Sequence, residues 1–83
     1  MASDWMPVAG DIITPTIPRP FYVGRRRIDL QPGMLLTVLY SEDSTHGTNS
    51  HNVDVYHPDF GKHPMVFHRN YWKIVNRNNE ENA

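Results

Sequence analysis

Five histidines stand in this 83-residue chain, at positions 46, 51, 57, 63 and 68. His57 and His63 flank Pro58–Lys62, whose Pro, Asp and Gly mark a hairpin connection. Two imidazoles facing each other across a hairpin neck could ligate zinc or nickel. The chain has no cysteine, and no third ligand stands at motif spacing. The expectation is therefore no metal, and a polar neck whose charge changes at about pH 6–7. Ser41, Ser44 and Ser50 lie in or beside a polar stretch with Asp43 and His46, which are the ingredients of nucleophilic catalysis. The same residue types are ordinary turn formers. A nucleophile elbow, a Gly-rich phosphate loop and paired carboxylates in a cleft are missing. No enzyme and no cofactor are expected.

The most concentrated charge is Arg25-Arg26-Arg27. In a strand, Arg25 and Arg27 would share one face and Arg26 would take the other. Guanidinium forks suit phosphate and carboxylate equally well. Three phosphate contacts would give a salt slope of only about −2.7 on duplex DNA, which is weak binding. Arg19, Phe21 and Tyr22 stand near the triplet in sequence and are expected to join it. Tyr56, His68 and Tyr71 are expected to face away from the core and form a second patch, since Tyr anchors interfaces at little entropic cost. The candidate contact residues are thus Arg25, Arg26, Arg27, Tyr22, Tyr56, His68 and Tyr71.

Composition limits the partner. Eight Lys and Arg against nine Asp and Glu give a net charge of −1, whereas dedicated nucleic-acid binders are often strongly basic. Another protein is the expected partner, and nucleic acid on the Arg25–Arg27 ridge is the alternative. No apolar run is long enough to span a membrane, and Met1–Gly10 lacks a basic start and an apolar stretch of signal-peptide type. Together with the missing cysteines this points to the cytoplasm.

The elements that must position these groups read as extended chain. Seven prolines leave few windows for a helix interior. Short apolar runs broken by Gly, Pro, Asn and Asp every 8–12 residues predict an all-β barrel or sandwich. Gly10–Thr14 is the first strand, and Pro15–Pro20 (PTIPRP) an edge or stiff connection rather than an exposed polyproline ligand. Phe21–Leu30 continues extended with a bend at Gly24, and Gln31-Pro32-Gly33 is a turn. Met34–Tyr40 reads as a strand buried on both sides, and Ser41–Ser50 as a loop. His51–His57 alternates cleanly. If His57 opposes His63, then Val55 meets Met65 and Val53 meets Phe67, and all four share the core face. Leu36, Val38, Trp72 and Ile74 complete that core.

Leu30-Gln-Pro-Gly33-Met-Leu-Leu36-Thr-Val38-Leu39 resembles the diverging turn and following strand of Src-homology-3 domains. Phe67-His-Arg-Asn70-Tyr71-Trp72 resembles the Phe-Pro-Ser-Asn-Tyr-Val stretch of that family, which forms a 3-10 turn before the last strand. The resemblance implies a small five-stranded SH3-like barrel over residues 10–76. Residues 1–9 are then an N-terminal extension, and 77–83 a disordered polar tail. The family's Ala-Leu-Tyr-Asp-Tyr opening is absent, and His68 stands where its groove proline would be. The resemblance therefore carries the barrel and not proline-peptide binding. KOW-type and Sm-like barrels share the first motif, and underlie the nucleic-acid alternative. A lone barrel of this size suits a non-catalytic regulator or inhibitor of a larger protein, such as a phage-encoded one directed at its host.

Overall fold

The computed structural model describes residues 5–42 and 49–77. Over these residues the chain is all-β, with seven strands and no helix. They are β1 (Ile12–Pro15), β2 (Arg19–Val23), β3 (Arg26–Leu30), β4 (Leu36–Ser41), β5 (Ser50–His57), β6 (Gly61–His68) and β7 (Trp72–Asn76). Two sheets result: a five-stranded antiparallel sheet in the order β6-β5-β4-β1-β7, and a separate β2–β3 hairpin. The expected five-stranded barrel is not closed, because β6 and β7 remain the two edges of the larger sheet.

The additional strand pair arises at Gly24. Val23 pairs with Arg26, so only Gly24 and Arg25 form the loop, with Gly24 at φ +63°. A two-residue hairpin with a positive φ at its first central residue is a type II′ turn, whose twist matches the flanking strands. Phe21–Leu30 is therefore two strands, not one bent strand. Gln31–Met34 follows as a second tight turn. Pro32 sets its second position, Gly33 takes φ +99°, and the Met34 amide donates to the Gln31 carbonyl at 3.0 Å. This is the type II pattern.

The buried core comprises Ile13, Leu30, Leu36, Val38, Val53, Val55, Phe67 and Trp72, with Met65 and Ile74 packed against it. The alternation expected along β5 holds. Its register does not: Val53 opposes Met65, Val55 opposes His63, and His57 opposes Gly61. The turn is shorter by two residues than expected, because Gly61 supplies a positive φ of +77° and the Phe60 amide closes onto the His57 carbonyl at 3.2 Å. A shift of two residues exchanges partners and preserves faces, so the core assignment survived the wrong pairing.

Two further expectations need correction. The chain from Met34 to Tyr40 is not buried on both sides, since Leu35, Leu39 and Tyr40 are exposed. A bulge between Val38 and Tyr40 turns Tyr40 outward opposite Asp54 and brings Ser41 opposite Val53. The expected 3-10 turn before β7 is a single hydrogen-bonded turn, with the Tyr71 amide on the His68 carbonyl at 2.9 Å. No described helix is long and apolar enough to cross a membrane.

Candidate functional site

The seven candidate contact residues do not form one surface. Arg25 occupies the tip of the β2–β3 hairpin, and Tyr22 and Arg27 lie directly opposite each other behind it. Arg26 projects from the other face and reaches the Asp59 carbonyl at 3.4 Å, docking the hairpin tip on the β5–β6 turn. Arg27 Nε donates to Asp29 Oδ1 at 2.9 Å. That hydrogen bond, and then the carboxylate charge, raise the Arg27 pKa above its ordinary value. The triplet is therefore not a strand ridge. One guanidinium is partnered by a carboxylate, one is turned toward the turn, and one stands at the tip.

Tyr56 lies opposite Lys62, near that same turn, whereas His68 lies opposite Ser50. Six residues of strand, about 20 Å at roughly 3.3 Å each, separate Tyr56 from the other two patch members. His68 and Tyr71 do come together, with ring centroids 4.8 Å apart.

Arg19, expected near the Arg25–Arg27 ridge, completes their cluster instead. The Arg19 guanidinium lies 4.7 Å from the centre of the Tyr71 ring, a cation–π contact. Local hydrogen bonds fix the arrangement. The Thr16 amide donates to the Tyr71 carbonyl at 2.8 Å, and the Asn70 amide donates to His68 Nδ1 at 3.2 Å. Arg19 also opens a groove of about 250 Å³ lined by Pro20, Phe21, Leu30, Met65, Val66 and Trp72. The groove lies between β2 and β6.

The two neck histidines do not face each other. His57 opposes Gly61, and its ring stacks on Phe60 at 5.3 Å while Nδ1 accepts the Asp59 amide at 3.0 Å. His63 instead meets the edge of Phe21 at 4.9 Å. No group of three metal-ligating side chains exists among the described residues.

Ser44, His46 and Asp43 lie outside the described residues, but Ser41 has a histidine that the loop reading overlooked. The β4 bulge turns Ser41 inward, where its Oγ lies 2.6 Å from Nε2 of the buried His51 and 2.7 Å from the Pro7 carbonyl. A carbonyl can only accept, so the single hydroxyl proton goes to Pro7 and His51 Nε2 must donate to Oγ. A base that donates to the hydroxyl cannot activate it. The pair ties the N-terminal segment to the sheet.

A different groove of about 440 Å³ lies on the outer face of β4–β6, where Tyr40 and Val66 are exposed beside Glu42 and Asp54. Compared with protein-family models, curated proteins and solved structures, the chain matches none of them.

Proposed function

We propose that the chain is an SH3-like module that binds another protein through the Arg19–His68–Tyr71 cluster and the adjoining groove between β2 and β6. Four features support the SH3-like reading. A hairpin follows the first strand, and a type II turn then leads into a three-stranded meander. A tight turn precedes the last strand, and that strand returns to pair with β1.

The observation that carries the binding reading is Tyr71, exposed yet in contact with the His68 imidazole and with the Arg19 guanidinium, which also lines the groove. Tyr and Arg are among the usual anchors of protein interfaces. The unassembled arginine triplet offers a strand of phosphates no regular ladder, which favours protein over nucleic acid. A regulatory or inhibitory role in the cytoplasm follows only as the simplest use of a module with no chemistry of its own.

The test is affinity capture from source-cell extract with the wild-type chain, an Arg19→Ala/Tyr71→Ala variant and an Arg25→Ala/Arg27→Ala variant, with and without nuclease. The reading requires a protein retained by the wild type, unaffected by nuclease and lost with the first variant. Nuclease-sensitive capture, or loss with the second variant alone, would favour the nucleic-acid alternative and overturn it.

A further inference from the structure

The outer edge of β7 carries a second feature, independent of the Tyr71 groove except that Trp72 walls both. Within the described residues β7 pairs only with β1. Trp72, Lys73 and Ile74 all line one concavity of about 320 Å³, together with Trp5, Arg69 and Arg77. Phe67 of β6 lines it too, and β7 is an edge of the five-stranded sheet, so the groove lies beside a strand that, among the described residues, pairs with β1 alone. It runs alongside backbone that an incoming extended chain could pair with.

Its charge is one-sided. Arg69, Lys73 and Arg77 line it, and among the described residues no carboxylate does. Arg77 is anchored behind the groove, donating to the Met6 carbonyl at 2.9 Å and lying 3.5 Å from the buried Asp11 carboxylate. Arg69 and Lys73 are exposed. Lysine on an edge strand deters pairing with strands in general, but two exposed cations and no acid deter basic strands and attract acidic ones.

The tryptophans argue against a nucleobase as the occupant. Trp72 is buried. The Trp5 ring is already engaged by Phe67, with centroids 6.2 Å apart and planes 14° apart, and by the Arg69 guanidinium at 5.1 Å. Base stacking needs an open ring face, whereas strand addition needs a backbone edge and flanking side-chain contacts.

We propose that the β7 edge is a docking site for an extended acidic polypeptide segment, which adds as a strand beside β7 and places its carboxylates against Arg69 and Lys73. The probes are a labelled acetyl-EVEVEV amide peptide, its KVKVKV counterpart and a dodecathymidylate. Anisotropy reads affinity, and amide chemical shifts of the ¹⁵N-labelled protein locate the contact. The acidic peptide should bind saturably, at least about tenfold tighter than the basic one, with salt weakening it. Its shifts should fall on the amides of Trp72–Arg77. Lys73→Glu should lower acidic-peptide affinity about tenfold and reverse the preference. Lys73→Gln, which adds no like charge beside Arg69, should lower it by less. Equal binding of both peptides, binding of neither, shifts confined to other strands, or binding of the dodecathymidylate alone would each overturn the proposal.

Discussion

Asp11 and Arg77 lie 66 residues apart in sequence and join the two ends of the fold. The Asp11 carboxylate is fully buried. Its Oδ2 accepts the Val8 amide at 2.9 Å and faces Arg77 Nη2 at 3.5 Å. A hydrogen bond to a charged acceptor contributes about 1.5–3 kcal/mol. The ion pair adds less, about 0.5–1 kcal/mol, because the Arg77 side chain is 36% exposed and screened by solvent. Asp11→Ala should therefore cost about 2–4 kcal/mol. Arg77→Ala removes the bond to the Met6 carbonyl and also leaves a buried carboxylate without its cation. Unpairing a buried charge is costly even when the intact pair is not strongly stabilising, so this change should cost a similar amount. Once Asp11 is gone, Arg77→Ala should cost only the Met6 bond, about 0.5–1 kcal/mol.

The double variant should thus fall short of the sum of the singles by about 1.5–3 kcal/mol. Urea denaturation followed by circular dichroism measures all four corners of the cycle. Each single variant should lower the midpoint by about 1–2 M at an ordinary urea dependence. Additivity within about 0.5 kcal/mol would mean that the two charges do not sense each other. The account of how the chain ends are joined would then be wrong.

Three further changes isolate other steps of the argument. Ser41→Ala leaves both His51 Nε2–H and the Pro7 carbonyl without their shared hydroxyl, and should cost about 1–3 kcal/mol in the same urea assay. If the change is neutral, the hydroxyl does not bridge the two. Gly33→Ala meets no atom within 4 Å at its new Cβ, yet must hold φ +99°. It should lose about 1–2 kcal/mol for conformational reasons alone, and a stabilised variant would exclude the type II turn. Phe67→Ala empties the core centre and removes the ring that Trp5 stacks on. A loss of about 3–5 kcal/mol is expected, with altered tryptophan emission in the folded state. Unchanged emission would detach Trp5 from the core.

Much of this fold was legible because side-chain alternation is a local property. His51–His57 declares its faces residue by residue, and Val53, Val55 and Phe67 are buried as the pattern requires. Register is less local. It depended on how many residues Gly61 lets the turn dispense with, and the alternation is identical for either count. The β4 bulge was invisible for the same reason. Val38, Leu39, Tyr40 and Ser41 read as an apolar strand leading into a loop, and only pairing with β5 shows that one residue is extra. That one residue moves Tyr40 to solvent and Ser41 to the buried His51. The strand break at Gly24 was legible as a bend. Its sharpness needed the facing partners Tyr22–Arg27 and Val23–Arg26.

Charge is where reading the chain linearly failed most, and the reason is general. Net charge sums residues one at a time, whereas a partner senses what remains after the fold has paired them. Arg25–Arg27 looked like the strongest electropositive feature, yet Asp29 answers Arg27 and Arg26 turns to the Asp59 carbonyl. Arg69 and Lys73 are spaced singly along the sequence, each beside neutral neighbours, and attract no attention there. Folding places them beside β7 with Arg77 and, among the described residues, without a carboxylate, whereas Asp54 on β5 stands 4.0 Å from Lys62. A chain of net charge −1 can therefore present a locally basic edge. Association steered by such local fields weakens with ionic strength even when the total charge is near zero. Salt dependence measured on Arg69 and Lys73 variants, and not on the whole chain alone, is what isolates that edge.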